Sequence, residues 1–83
     1  MRAIAITNAA TDLAAQKAPF LANYTMVFAN PTGGNLVVQE ADDAAFTSPT
    51  TVATVPADGF IEGTPTKQYI RVSTSATVYV LGN

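Results

Sequence analysis

The sequence predicts an all-β domain, a small antiparallel β-sandwich of jelly-roll or immunoglobulin-like type with about six to seven short strands. Two observations predict this fold class. Apolar and polar residues alternate with a period of two over several short runs, which is the pattern of half-buried strands. Clusters of Gly, Pro, Asn and Asp separate these runs at intervals of about 8–12 residues, as in sandwiches. We expect the 83 residues to form a single domain, residues 1–83.

The predicted fold is organised around a hairpin over residues 35–55. The run NLVVQE predicts one strand, an acidic turn follows at residues 41–45, and a Thr/Val-rich strand returns to residue 55. Val- and Thr-rich strands bounded by Asp, Gly and Pro are typical of antiparallel pairing. We expect Ser48-Pro49 to interrupt the returning strand as an edge kink or bulge, because proline cannot donate to a strand ladder.

The N-terminal part gives one strand and one ambiguous segment. Residues 2–7 alternate, which predicts a strand with Ile4 and Ile6 inward. Residues 8–18 fit two interpretations: one helical turn ended by Pro19, or a loose edge strand through Leu13 and Ala15.

The next strand is apolar on both faces. Residues 24–30 place Tyr24, Met26 and Phe28 on one side and further apolar residues on the other. Such a strand lies either at the centre of a sheet or at an interface. The following turn, residues 30–35, contains two glycines that we expect to supply positive φ angles.

The C-terminal third predicts two more strands. Phe60 and Ile61, between two turns, either plug the core or face a neighbour. Residues 67–73 and 77–81 alternate as strands, with a turn at Ser75-Ala76. The inward positions define the predicted core, which contains Ile4, Ile6, Phe28, Leu36, Val38, Val52, Ile70, Val72, Val78 and Val80.

Composition narrows the function classes. Charged residues make up 12% of the chain, about half the usual share of about 25%. A net charge of −2 without a basic cluster argues against nucleic acid as a partner, and no run approaches the roughly 18 apolar residues of a membrane span. Because the small chain has no cysteine or histidine for a disulfide or a structural zinc, we expect oligomerisation or docking to supply stability.

Candidate chemistry is sparse. Without His or Cys there is no ordinary nucleophile–base pair, so we predict no enzyme, no catalytic residue, no cofactor and no metal site. Asp42 and Asp43 suit calcium by ligand type, but the loop lacks the usual spacing of a calcium site, so turn formation is the preferred interpretation.

Two groups of surface residues have competing interpretations. Tyr24, Tyr69 and Tyr79 form either a sugar-stacking platform or ordinary strand packing, and packing is favoured. Arg71 is expected at an edge or in a structural ion pair with a carboxylate such as Glu40.

Several of these runs resemble a pattern found in small tailed-bacteriophage capsid decoration, or cement, proteins. The matching residues are 36–43 (LVVQEADD), Phe46, 51–56 (TVATVP) and 69–72 (YIRV). In that family a V-Q-x-S-D-D strand enters a turn and a Thr/Val strand, followed downstream by a Tyr-apolar-Arg-Val strand. The resemblance covers most of residues 24–81 and departs at Ala41, where Ser is usual, and at Phe46 in place of Trp. These short elements are shared with discoidin-like carbohydrate-binding domains.

The resemblance implies a structural virion protein that binds the outer surface of the major capsid shell and stabilises subunit junctions. It implies the major capsid protein as partner, a homo-oligomer with a trimer favoured, and a place on the virion surface after synthesis in the host bacterial cytoplasm. The alternatives are a carbohydrate-binding or host-attachment module and a tail or neck component. From their apolar character, we predict Tyr24, Met26, Phe60 and Ile61 as interface residues.

Overall fold

In a computed structural model, which describes residues 2–73 and 77–82, the chain folds into two four-stranded antiparallel sheets packed against each other. The predicted all-β sandwich is therefore confirmed. The strands are β1 (Arg2–Ile6), β2 (Thr11–Asp12), β3 (Met26–Ala29), β4 (Leu36–Ala41), β5 (Thr50–Val55), β6 (Phe60–Gly63), β7 (Tyr69–Val72) and β8 (Val78–Gly82). The expected number of strands was too low because β6 does not bury alternate residues and was not recognised as a strand, and β2, with two residues, is too short to show alternation.

The strand pairing is nested. β1 pairs with β8, β2 with β7, β3 with β6 and β4 with β5, so the chain is one long hairpin whose closed end is the predicted central hairpin. Folding this hairpin over gives sheet A, in the order β1-β8-β3-β6, and sheet B, in the order β2-β7-β4-β5. Eight strands in this arrangement form a jelly roll rather than an immunoglobulin-like sandwich.

The irregularity in the central hairpin lies at Val52. Val38 pairs with Ala53 and Gln39 with Thr51, so Val52 is the extra residue of a β-bulge. The predicted interruption at Ser48-Pro49 was wrong, because β5 begins only after Pro49 and the missing proline N–H falls outside the ladder.

The core lies between the two sheets. Of the predicted core residues, Ile4 and Val52 are half-buried and pack against the cluster, and the others are buried. Residues from irregular segments complete the core, notably Leu13 and Phe20. Sequence alternation did not reveal them because they do not lie in strands.

The segment over residues 8–18 contains a short strand followed by a helical turn, and the turn occupies Leu13–Ala15, where the alternative interpretation placed the edge strand. The edge strand β2 leads directly into a 3₁₀ turn, Leu13–Ala15. Asp12 caps the N-terminus of this turn, because its side chain accepts a hydrogen bond from the Ala14 N–H at 2.9 Å. The N–H of Leu13 donates to the Gln68 carbonyl at 2.7 Å, which ties the turn to the chain before β7.

Asn30 organises the turn after β3. Its side-chain amide donates to the carbonyls of Gly34 (2.7 Å) and Pro56 (3.1 Å), and its carbonyl oxygen accepts from the Thr32 N–H (2.9 Å). Neither glycine of this turn has a positive φ, so that expectation was wrong. The buried asparagine fixes the turn through hydrogen bonds instead.

The remaining strand predictions agree with the structure. β7 lies within its expected run and β8 extends one residue past its run, to Gly82, and both bury alternate residues. The turn expected at Ser75-Ala76 lies outside the described residues. In the ranges that the structure describes, there is no helix with the length and apolar character needed to cross a membrane.

Candidate interaction surface

The predicted interface residues separate into exposed and buried groups. Phe60 is 72% exposed, Tyr24 45% and Ile61 39%, but Met26 is only 1% exposed. Met26 points to the same side of β3 as Phe28, into the core, so its prediction as a surface residue was wrong. Alternation along β3 turns Val27 and Ala29 outward instead.

The outward residues of sheet A form a single surface, which we call face A. Directly opposed residues in an antiparallel pair lie on the same face of the sheet, so the register places these residues in two rows across the four strands. From β1 to β6, the first row is Ala5, Tyr79, Ala29 and Phe60, and the second is Ala3, Leu81, Val27 and Glu62.

Face A is apolar and uncovered. Glu62 is the one charged residue among these eight, and it belongs to the edge strand β6. Tyr79 and Phe60 remain 45% and 72% exposed. Adjacent exposed apolar side chains mark an interaction surface more clearly than isolated ones do.

The outer face of sheet B has a different character, because a loop of the same chain covers part of it. The Nε of Arg71 donates to the Oε1 of Gln39 at 3.1 Å. The guanidinium of Arg71 lies 4.2 Å from the centroid of the buried Phe46 ring. Phe46 belongs to the loop between β4 and β5 and adopts a φ of 53°, a region that bulky residues rarely occupy.

Glu40 does not pair with Arg71, so that suggested ion pair was wrong. The register places Gln39, not Glu40, opposite Arg71, and Glu40 lies on the inner side of the sheet. Its buried carboxylate accepts hydrogen bonds from the N–H groups of Thr66 (2.6 Å) and Lys67 (2.9 Å). Glu40 therefore fixes the loop between β6 and β7.

Asp43 has the turn role that the sequence predicts. Its carboxylate accepts from the Thr47 hydroxyl at 2.7 Å and from the Thr47 N–H at 3.2 Å. These hydrogen bonds to the side chain and then the backbone of Thr47 lower the pKa of Asp43 below its ordinary value of 3.8. Asp42 is exposed, and its carboxylate lies 3.9 Å from the Lys67 ammonium.

The three tyrosines do not share a surface. Tyr79 lies on face A, Tyr69 lies opposite Ala41 in sheet B, and Tyr24 precedes β3. The proposed sugar-stacking platform of all three is therefore not formed.

Residues 2–73 and 77–82 contain neither a pocket nor a group of three or more Asp and Glu side chains placed to hold a metal ion. The chemistry available on face A is the burial of apolar side chains. The sequence interpretation missed most of this surface, although the apolar outward positions of residues 24–30 and 77–81 were a readable signal. Comparisons of the chain with protein-family models, with curated proteins and with solved structures find no match.

Proposed function

We propose that this chain is a structural virion protein, a capsid decoration protein that binds the outer surface of a major capsid shell and stabilises its subunit junctions. Face A is the observation that carries the proposal, because a chain that leaves rows of apolar side chains uncovered gains stability when an assembly covers them. The resemblance over residues 24–81 supplies the nature of the partner. The proposed role is not enzymatic, in keeping with a sequence that lacks His and Cys.

The proposed mechanism is burial of shape-complementary surface without covalent chemistry. Burying apolar area contributes about 25 cal/mol per Å², and a protein interface of standard size buries about 1,600 Å² in total. A homo-oligomer that contacts two neighbouring shell subunits at once binds more tightly than each single contact, because the second contact forms within the complex. The resemblance favours a trimer as this oligomer, whereas the shape of face A favours a pair.

Fold analogy supports a capsid decoration protein and a carbohydrate-binding module equally. Jelly rolls occur in viral capsid and lectin domains, and a fold by itself does not assign a function. The carbohydrate-binding candidate has one specific observation in its favour: the Tyr79 and Phe60 rings lie in one row, two strands apart, or about 10 Å. Against it, Glu62 is the single charged side chain in face A available to bind sugar hydroxyls.

The test is co-sedimentation of the purified chain with shells assembled from the major capsid protein of the genome that encodes it. We expect the chain at tens of micromolar to pellet with the shells and to stay in the supernatant without them. Phe60→Ser removes about 150 Å² of exposed side chain from face A, so it weakens the homo-oligomer. Shell binding then falls by at least tenfold, because a single chain makes one shell contact instead of two, while the circular dichroism stays unchanged. Thr54→Ser, an exposed position on β5, is the matched control and binds like the wild type.

Failure of the wild-type chain to pellet with the shells would overturn the decoration proposal. Absence of a major capsid protein from the same genome would overturn it as well. Binding to soluble glycans that Phe60→Ser abolishes would establish the carbohydrate-binding candidate. Binding to tail or neck assemblies instead of shells would establish a tail or neck component.

A further inference from the structure

We propose that a second copy of this chain covers face A, and that the two copies are related by a two-fold axis parallel to the strands and centred between β8 and β3. This inference concerns the surface of the chain itself and does not depend on the capsid being its larger partner.

The first row of face A alternates small and large side chains. Across β1, β8, β3 and β6 it presents Ala5, Tyr79, Ala29 and Phe60, with neighbouring strands about 4.8 Å apart. The row therefore has a ring, a gap, a ring and a gap when read from β6. Such a surface packs well only against one that has gaps where it has rings.

A second copy provides that surface. A two-fold rotation about an axis along the strands reverses the order of the strands, so β1 faces β6 of the other copy and β8 faces its β3. Ala5 then lies opposite Phe60 of the other copy, and Tyr79 lies opposite its Ala29. A ring therefore meets an alanine at each of the four positions in the row. An in-plane axis perpendicular to the strands instead stacks each strand on its own copy. If this axis passes through the first row, rings meet rings and alanines meet alanines; if it lies midway between the rows, Phe60 meets Glu62.

The second row fits the same operation. Leu81 lies opposite Val27 of the other copy, two apolar side chains of intermediate size. Glu62 lies opposite Ala3 at the margin, because both belong to edge strands. There the exposed carboxylate stays in water, as in the polar rim of ordinary interfaces.

The two rows of face A form the central part of the contact in such a pair. The two rows cover about 20 Å by 14 Å of sheet, at the centre of a molecule that measures 29 × 29 × 15 Å. These dimensions correspond to about 280 Å², about a third of the roughly 800 Å² that each partner contributes to a standard interface, so the interface of a pair extends beyond the two rows. Packed sheets cross at about 30°, which displaces the edge strands by about 4 Å, a distance that a phenylalanine ring spans.

The test exchanges the sizes of two residues that do not touch within one chain. Ala5 and Phe60 belong to opposite edge strands of sheet A, about 14 Å apart. Ala5→Phe places two rings against each other at both contacts of the pair, and Phe60→Ala leaves two gaps. We expect each variant to weaken association by at least tenfold and to show the 8.6 kDa mass of one chain by light scattering at a concentration where the wild type shows twice that mass.

Association returns in two ways under the proposed symmetry. The double variant Ala5→Phe/Phe60→Ala restores one ring against one alanine at each contact. An equimolar mixture of the two single variants does the same, because the ring-rich surface of one variant then faces the alanine-rich surface of the other. Both samples should show twice the chain mass.

Two further variants keep the test independent of folding defects. Ala29→Lys places a charge at the centre of face A and should give single chains, whereas Thr54→Lys on β5 should pair like the wild type. A wild-type mass by light scattering equal to that of one chain at tens of micromolar would overturn the proposal, and so would a mass equal to that of three chains. Failure of both the mixture and the double variant to regain association, with circular dichroism unchanged, would overturn the two-fold arrangement.

Discussion

Replacing Glu40 by alanine removes the acceptor for two backbone N–H groups in the loop between β6 and β7. The carboxylate is 7% exposed, and its Oε1 accepts from Thr66 at 2.6 Å and from Lys67 at 2.9 Å. The Thr66 hydroxyl lies 3.3 Å from the other carboxylate oxygen. Without Glu40 these donors depend on water, because residues 2–73 and 77–82 provide no second acceptor for them.

We expect Glu40→Ala to lower the free energy of unfolding by about 3 kcal/mol. Hydrogen bonds to charged groups contribute about 1.5–3 kcal/mol each, and water reaching the exposed Thr66 recovers part of the sum for two bonds. Glu40→Gln keeps one acceptor oxygen for the two N–H groups, but it replaces the other oxygen by an NH₂ group and loses the charge, so we expect it to cost about 1 kcal/mol. A domain of this length has a total stability of about 4–12 kcal/mol, so the alanine variant loses a large fraction.

Urea unfolding followed by circular dichroism measures this effect. With a slope of about 1.5 kcal/mol per M, Glu40→Ala unfolds at about 2 M less urea than the wild type, and Glu40→Gln falls between them. Asp42→Ala, at a carboxylate that is 84% exposed, is the control and shifts the midpoint little. All proteins are compared at one chain concentration, because association stabilises the folded state. A Glu40→Ala midpoint equal to that of the wild type would refute the role assigned to Glu40.

Three further predictions concern the core and the acidic turn. Val38→Asp buries an unpaired charge at a fully buried position and should abolish folding; a soluble variant with wild-type circular dichroism would show that the register is wrong. Because the pKa of Asp43 is lowered in the folded chain, its charge stabilises the fold above the unfolded pKa of about 3.9 and this contribution is lost as pH falls through the folded pKa. The stability advantage of the wild type over Asp43→Asn, measured by urea unfolding, should therefore disappear on acidification, and an advantage that grows at low pH would contradict this reasoning. Asp42→Asn/Asp43→Asn should associate like the wild type, since asparagine can also bond Thr47, and calcium should leave the melting temperature of both proteins unchanged. A calcium-dependent rise in the wild type alone would establish a metal site.

The fold could be predicted from sequence where side-chain alternation determines burial. β4, β7 and β8 bury alternate residues along most of their length, so their inward positions were readable from the chain alone. The jelly-roll connectivity was not, because it depends on which strands pair over long separations, such as β1 with β8. Alternation describes each strand by itself and does not identify its partner.

The buried residues that sequence alternation did not predict lie in irregular segments. Phe20 enters the core from a loop, and Phe46 is buried on the outer face of sheet B beneath Arg71. No periodic pattern marks either residue. The interaction surface was partly readable: Phe60 was identified by its isolation between two turns, but Ala5 and Ala29 become meaningful only when the register places them beside the two rings.

The thermal midpoint as a function of chain concentration tests most directly whether face A joins two copies. If pairing through face A stabilises the folded chain, the wild-type midpoint rises as concentration increases from about 1 to about 100 µM, because association shifts the folding equilibrium by mass action. The midpoint of Thr54→Lys should rise in the same way, and the midpoint of Ala29→Lys should stay constant over this range. A wild-type midpoint that does not change with concentration, or an Ala29→Lys midpoint that rises as steeply as that of the wild type, would contradict pairing through face A.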